Sequence, residues 1–161
     1  GGGGGGGGAG PGEEAQLEAG EHTSCLQTER GTSGHSILHL LAMTPLSPFS
    51  HQAIIQLLEA SAEVDERNAM GETPLILAVR VAADLADHPA NGGARRLAVV
   101  QRLLQSRADP GAADPASGET ALMECADLGD LPLCRALLRA GASPLAASRE
   151  GLTARAAAEQ A

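Results

Sequence analysis

The stretch GETALMECADLGDLPLCRALLRAGASP, residues 118–144, decides the fold of this 161-residue chain. It starts at a glycine, continues through two short apolar segments separated by a turn, and leaves through a second glycine. Gly118 returns as Gly151 and Thr120 returns as Thr153, so the spacing is 33 residues. A fixed period of this length indicates a repeat protein in which each unit contains two helices joined by a turn.

Two earlier segments and one later segment align with this turn. They read GHSILHLLA (34–42), GETPLILAV (71–79) and GLTARAAA (151–158). Together the four segments resemble the Gly-x-Thr-Pro-Leu-His-x-Ala-Ala pattern of the ankyrin-repeat family. His39 keeps the histidine of that pattern, and Thr73 begins the Thr-Pro-Leu part.

The resemblance covers residues 34–160 and implies an all-α fold, an ankyrin-repeat solenoid of helix-turn-helix units with short hairpin-like finger loops. It divides the chain into a Gly-rich tail, three repeats and a partial C-terminal capping repeat. Arg155 stands where a core leucine is expected, which suits a terminal unit whose outer face meets water. The predicted boundaries are 1–33 for the tail, which we expect to be mostly disordered, 34–70, 71–117 and 118–150 for the repeats, and 151–161 for the cap.

Two repeats are longer than 33 residues, and the extra residues predict inserts at 43–50 and 81–94. We expect the first half of the second insert to extend the preceding helix and the second half, 87–93, to be a loop. Phe49 in the first insert could either anchor the insert to the core or offer an aromatic contact to a partner, and we expect the anchor. Thr44 and Ser47 each precede a proline and could accept phosphate from a proline-directed kinase.

The helix ends can be predicted from single residues. Thr73 followed by proline is typical of a helix start, because the hydroxyl accepts an orphan N–H and proline at the first position loses no bond. Gly141 is suited to the left-handed conformation that ends a helix. Ser61 and Arg107 hold the same position in the two earlier repeats, where each should cost a few tenths to about 1 kcal/mol.

Composition limits the function. The formal net charge is −9 and there is no lysine, which argues against a nucleic-acid partner and favours another protein with a basic or apolar segment. Three cysteines indicate a reducing compartment, and without a signal peptide or an 18-residue apolar run the chain is expected in the cytoplasm or nucleus, with no membrane association. We also expect a monomer. The chain does not begin with Met, so we expect it to be part of a longer protein.

Chemistry at a metal or a nucleophile is the weaker interpretation. His22, Cys25, His35 and His39 have a spacing that could bind zinc, but the resemblance makes His39 a structural residue that bonds the turn backbone and Ser36. The cysteines lack a motif-level histidine partner, and Cys125 and Cys134 suit core packing. We therefore expect no catalytic residues and no cofactor.

In the ankyrin family the finger turns and first helices line a concave face that binds other proteins. Carried over to this chain, the contact positions are Ala69, Met70, Glu72, Arg80, Val81, Ser117, Glu119, Asp127, Leu128, Arg149, Glu150 and Leu152. Glu119, Glu124 and Asp127 lie close together in the sequence, either as a solvated acidic face or as a contact patch for a basic partner.

Three functions follow as hypotheses. The first is a non-catalytic adaptor or scaffold module that binds a protein segment on the concave face. The second is an inhibitor or co-regulator of a transcription factor, because the inserts and the order of motifs are loosely similar to the ankyrin domains of NF-κB inhibitors. The third is a metal-binding protein that uses the four His and Cys residues named above.

Overall fold

The computed structural model describes residue 1 and residues 33–45, 49–81 and 92–160. These residues form seven helices and no strand, apart from two isolated backbone bridges at Ala113–Thr120 and Ala147–Thr153. None of these helices has the length and apolar composition that a bilayer span requires. The helices are α1 (Ile37–Met43), α2 (Ser50–Glu59), α3 (Pro74–Arg80), α4 (Gly92–Gln105), α5 (Ala121–Asp127), α6 (Leu131–Arg139) and α7 (Ala154–Gln160).

The helices contact one another in two series. The first helices of the units, α1, α3, α5 and α7, each contact the next in the series, and so do the second helices, α2, α4 and α6. Within each complete unit the first helix also contacts the second. Every complete unit therefore buries apolar surface against a neighbouring unit as well as between its own two helices.

Aliphatic side chains fill the core between the two series. Leu75, Val79 and Leu122 come from first helices, and Leu103 and Leu137 come from second helices; all five are at most 2% exposed. The chain has one Phe and no Trp or Tyr, so small aliphatic side chains do most of the packing, together with Met123 and Cys125. Short helices that approach closely suit such side chains, because little space remains between them.

The helix ends confirm the predictions from single residues. Thr73 is the N-cap of α3, where its side chain accepts from the Ile76 N–H at 3.4 Å. Gly141 has φ +99° after α6, and Ser61 and Arg107 have φ +65° and +69° at the equivalent ends of α2 and α4. A side chain in this left-handed region crowds its own backbone, so these two residues are strained where glycine is not.

The second insert differs from its prediction. Helix α3 ends at Arg80 with Val81 as its C-cap, so the expected extension does not continue through Val81. Gly92 and Gly93, predicted as loop, form the first turn of α4. That helix has 14 residues whereas α6 has nine, so part of the insert lengthens a helix. The remainder of the insert, 82–91, lies outside the described residues.

The first insert also corrects an expectation. Phe49 is 77% exposed, so it does not anchor the insert in the core. Pro45 and Ser50 are buried instead, and the Ser50 hydroxyl donates to the Thr44 carbonyl at 2.6 Å. This hydrogen bond, rather than apolar contact by Phe49, joins the two ends of the insert. Ser47 lies outside the described residues.

Candidate protein-binding face

Short finger turns precede the first helices and fix the positions of the predicted contact residues. In chain order they are the first finger (33–36), the second (68–73), the third (114–120) and the fourth (148–153). Asn68, Asp114 and Ser148 each accept backbone N–H groups within their own turn and are largely buried. Their backbone N–H groups donate to the carbonyls of the residues just before the next helix, at 2.8–3.0 Å. A side chain that satisfies its own turn makes the finger rigid before any partner binds.

His39 closes the first finger against the second unit. Its Nδ1 accepts the Ser36 N–H at 3.1 Å and lies 2.7 Å from the Ser36 hydroxyl, so Nε2 carries the proton and donates to the Glu72 carbonyl at 3.1 Å. Burial lowers the pKa of His39 below its usual value, although the bond to Glu72 opposes this effect. The geometry therefore confirms the structural role that the family resemblance predicts for His39.

The hydrogen bonds of His39 also argue against its suggested role as a zinc ligand. Both ring nitrogens of His39 are engaged, and the His35 Nδ1 lies 2.7 Å from the Ser33 hydroxyl. His22 and Cys25 lie outside the described residues. Within the described ranges no three His, Cys, Asp or Glu side chains are grouped to hold a metal ion.

Arg80, at the end of α3, gathers three carboxylates from three parts of the chain. Its guanidinium donates to Glu72, to Asp114 Oδ2 at 2.7 Å, and to Glu124 Oε1 at 2.6 Å. The carboxylate side chains are 7–12% exposed, while the arginine itself is 40% exposed. We call these four residues the Arg80 network; it joins the second finger, the third finger and α5.

The ionisation of the network follows from burial and pairing. Burial alone would lower the pKa of Arg80, but the bonds to Asp114 and Glu124 outweigh it and raise that pKa. For Asp114 burial would raise the pKa, but the bond and charge of Arg80 together with the backbone N–H groups of Ala116 and Ser117 outweigh it and lower that pKa. For Glu124 burial outweighs the arginine, and its pKa is raised. Burial is the largest cause, since Glu124 Oε2 is buried without a hydrogen-bond partner, and the charges of Glu119 and Asp114 raise the pKa further.

Beside the network lies a groove of about 470 Å³ between the third finger, α5 and α7. We call it the acidic groove. One cation and four carboxylates line it, together with apolar side chains from α5 and α7 and their flanking turns. Its lining residues are Arg80, Asp114, Ser117, Glu119, Met123, Glu124, Asp127, Leu128, Leu152 and Ala157.

The groove brings together six of the residues predicted for the contact face: Arg80, Ser117, Glu119, Asp127, Leu128 and Leu152. The other predicted positions do not line it. Ala69, Met70, Arg149 and Glu150 are exposed on the finger turns, and Val81 is half-buried at the end of α3.

Glu72 corrects the predicted contact face. Only 5% of the residue is exposed, because its carboxylate accepts from Asn68 Nδ2 at 2.8 Å and from Arg80. A partner cannot reach it without breaking these bonds. The family frame placed Glu72 correctly beside the finger but did not show that an arginine eight residues later folds back onto it.

Four groove residues were not among the predicted contacts: Asp114, Met123, Glu124 and Ala157. Asp114 could have been found, because it precedes a turn glycine as Asn68 and Ser148 do. Glu124 was singled out only as part of an acidic cluster. Its neighbour across the groove, Arg80, is 44 residues away, and no local pattern reveals that contact.

Two other grooves are of similar size. The larger, about 540 Å³, lies between α4 and α6 and includes Arg135 and Arg139. A mostly apolar groove of about 490 Å³ lies at the outer end, beside α6 and α7, and includes Leu131 and Cys134. Neither includes a predicted contact residue, and the Arg80 network lines neither of them.

Comparison with known proteins identifies one unit of the chain. The family model described as Ankyrin repeat matches residues 117–149, which comprise the end of the third finger, α5, α6 and the turn that follows. No curated protein matches the chain as a relative. Ankyrin repeats in general mediate protein–protein interactions and are typically non-catalytic.

Proposed function

Because the chain carries an ankyrin repeat, we propose that it is a non-catalytic adaptor module that binds a segment of another protein in the acidic groove. The groove lies along the finger and first-helix side of the matched repeat. The observation that carries the proposal is the excess of carboxylates over the single arginine at a site that also exposes apolar surface.

The charge balance indicates the chemistry of the segment. Arg80 is already occupied by three carboxylates, so Glu119 and Asp127 remain to attract a cation. Leu128, which is 39% exposed, and Leu152 provide apolar contacts at the same site. The proposed partner segment therefore carries an arginine or lysine close to an aliphatic side chain.

The proposed array is a solenoid, because the two series of helices continue in the same order from α1 to α7. Rigid fingers lose little entropy when a partner binds, which supports affinity from a small contact. We further propose that the module acts as a monomer in a reducing compartment. The likeness to NF-κB inhibitors stays a prediction.

Selection from a displayed random-peptide library tests the proposal, because the library samples many segment chemistries at once. We expect peptides selected on the unaltered protein to be enriched in arginine or lysine beside Leu, Ile or Val. The enrichment should disappear on a Glu119→Lys, Asp127→Lys protein. A matched control, Glu59→Lys with Glu63→Lys, makes the same charge change at exposed residues of and after α2 and should keep the enrichment.

The result that contradicts the proposal is equally specific. If the charge-reversed protein has the same helix content by circular dichroism and selects the same peptides, binding lies outside the acidic groove. Peptides of acidic composition selected on the unaltered protein would instead favour the groove that includes Arg135 and Arg139.

A further inference from the structure

The two helices of the third repeat bring two cysteines into direct contact. Cys125 lies in α5 and Cys134 lies in α6, and their Sγ atoms are 2.8 Å apart. A disulfide bond is about 2.05 Å long, so the two sulfur atoms need to approach by less than 1 Å to form one. Both are free thiols in this structure.

The surroundings of the two thiols differ. Cys125 is fully buried, and its thiol donates to the Leu122 carbonyl at 3.3 Å. Cys134 is half-buried and lines the apolar groove at the outer end of the molecule, beside the exposed Leu131 and Leu138. A small reagent can therefore reach Cys134 from the groove, whereas Cys125 has no exposed surface and does not line the groove.

We propose that Cys125 and Cys134 are a reversible oxidation site, at which a peroxide closes a disulfide between α5 and α6. The proposal is independent of the acidic groove and of its partner. It assigns a modification site to residues that sequence reasoning placed in core packing.

The reaction balances in two steps with hydrogen peroxide as oxidant. The Cys134 thiol loses its proton, and the resulting thiolate attacks one peroxide oxygen. The O–O bond breaks, a sulfenic acid forms, and the hydroxide that leaves takes up a proton to become water. The Cys125 sulfur then attacks the Cys134 sulfur, the S–O bond breaks, and the oxygen leaves as a second water with the proton of Cys125. Two thiols lose two electrons in total, and one peroxide is reduced to two waters.

The order of the steps follows from burial. Burial raises the pKa of the Cys125 thiol, and the neighbouring Cys134 raises it further, so Cys125 stays protonated and does not react with the peroxide first. Its contact with Cys134 makes the second step intramolecular, and this proximity compensates for the weak acidity. A reductant such as a small thiol reverses the closure, which suits a protein of a reducing compartment.

The test uses the full chain with Cys25→Ser, which leaves Cys125 and Cys134 as the remaining cysteines. The protein is treated with dilute hydrogen peroxide, quenched, unfolded and alkylated with a maleimide. We expect intact molecules to carry two labels or none, with a mass two hydrogens lower in the unlabelled species. Reduction should restore both labels, and peptide mapping should join residue 125 to residue 134.

Closure should also raise the melting temperature of the monomer, by roughly 5–10 °C, because the bond restrains the unfolded chain. Two further variants separate the roles of the thiols. With Cys125→Ala added, peroxide should leave a sulfenic acid at Cys134 that dimedone traps. With Cys134→Ala added, Cys125 should stay unreacted in the folded protein.

Some outcomes would overturn the proposal. One is a folded protein in which Cys134 gains oxygen atoms while Cys125 is still alkylated in full. Another is disulfide that joins only separate molecules. Equal peroxide reactivity of Cys125 with and without Cys134 would contradict the proposed order of attack.

Discussion

At the scale of single residues, the ends of the second helices show which residues are strained by a left-handed backbone conformation. Gly141 ends α6 with a positive φ, and Ser61 and Arg107 adopt the same conformation at the ends of α2 and α4. Each repeat adopts the left-handed conformation at this position, even where the residue is not a glycine and does not favour it. The third repeat, which has the glycine, is also the one that the family model matches.

Arg107→Gly should therefore stabilise the protein. We expect the free energy of unfolding in urea to rise by roughly 0.5–1 kcal/mol, because relief of the left-handed strain exceeds the added freedom of the unfolded chain. Gly141→Ala is the reverse control and should lower stability by about the same amount. A loss of stability in Arg107→Gly would show that the arginine side chain makes a contact worth more than its strain.

His39 predicts how stability depends on pH. Its pKa is lowered in the folded protein, so the unfolded chain takes up a proton first as pH falls. Stability should be fully present above the unfolded value of about 6.5 and should decline as pH falls from there through the folded pKa. Urea denaturation at a series of pH values from 8 down to about 5 measures this decline.

Two substitutions separate His39 from the rest of the chain. His39→Gln should lower stability at neutral pH and should remove most of the decline below pH 6.5. His51→Gln, at an exposed position in α2, should keep the decline. An unchanged decline in His39→Gln would assign the pH dependence to another group.

At the scale of helices and turns, the Arg80 network joins neighbouring units. One guanidinium at the end of α3 holds the turn before its own helix, the following finger through Asp114, and α5 through Glu124. Apolar packing between α3 and α5 is not directional, so the fixed geometry of these bonds adds specificity to the contact. The network thus fixes the position of the third finger relative to the second.

Arg80→Gln should leave three buried carboxylates without their cation. We expect a loss of about 2–3 kcal/mol in the free energy of unfolding at pH 7; the partial exposure of the arginine keeps it below the loss for a fully buried pair. The loss should shrink near pH 4, where the unpaired carboxylates become protonated. Urea denaturation at the two pH values measures both effects, and an equal loss at both would rule out the electrostatic explanation.

At the scale of the whole molecule, stability depends on neighbours. Helix α7 has no second helix after it within the described residues, and it packs on α5. Ala154 is buried in that contact, whereas most other side chains of α7 are partly or fully exposed. The molecule should therefore unfold more easily from this end than from its middle.

Deletion of residues 154–161 tests this dependence. We expect faster amide hydrogen exchange in α5, with a smaller change in α1, because each unit is stabilised mainly by its nearest neighbours. Arg155→Ala is the control: it removes only the exposed pair with Glu159 and should leave exchange unchanged. A uniform increase in all helices would show that the chain unfolds as one cooperative unit.

The sequence by itself determined the repeat, the seven helices' approximate places and the conformations at their ends. These features depend on residues a few positions apart, such as Thr73 before Pro74 or a glycine after α6. Local hydrogen bonds and the steric limits of the backbone are enough to produce them. Phe49 and the start of α4 were wrongly predicted because inserts have no periodic frame.

Only the tertiary structure decided which charges remain available and which thiols meet. Glu72 was predicted to face a partner, but Arg80 binds it together with Asp114 and Glu124. The carboxylates that remain open in the groove are those of Glu119 and Asp127. In the sequence Cys125 and Cys134 are two separate core positions, and only the packing of α5 against α6 brings their sulfur atoms into contact. Such contacts join separate helices and turns, and their energies depend on burial that no single segment contains.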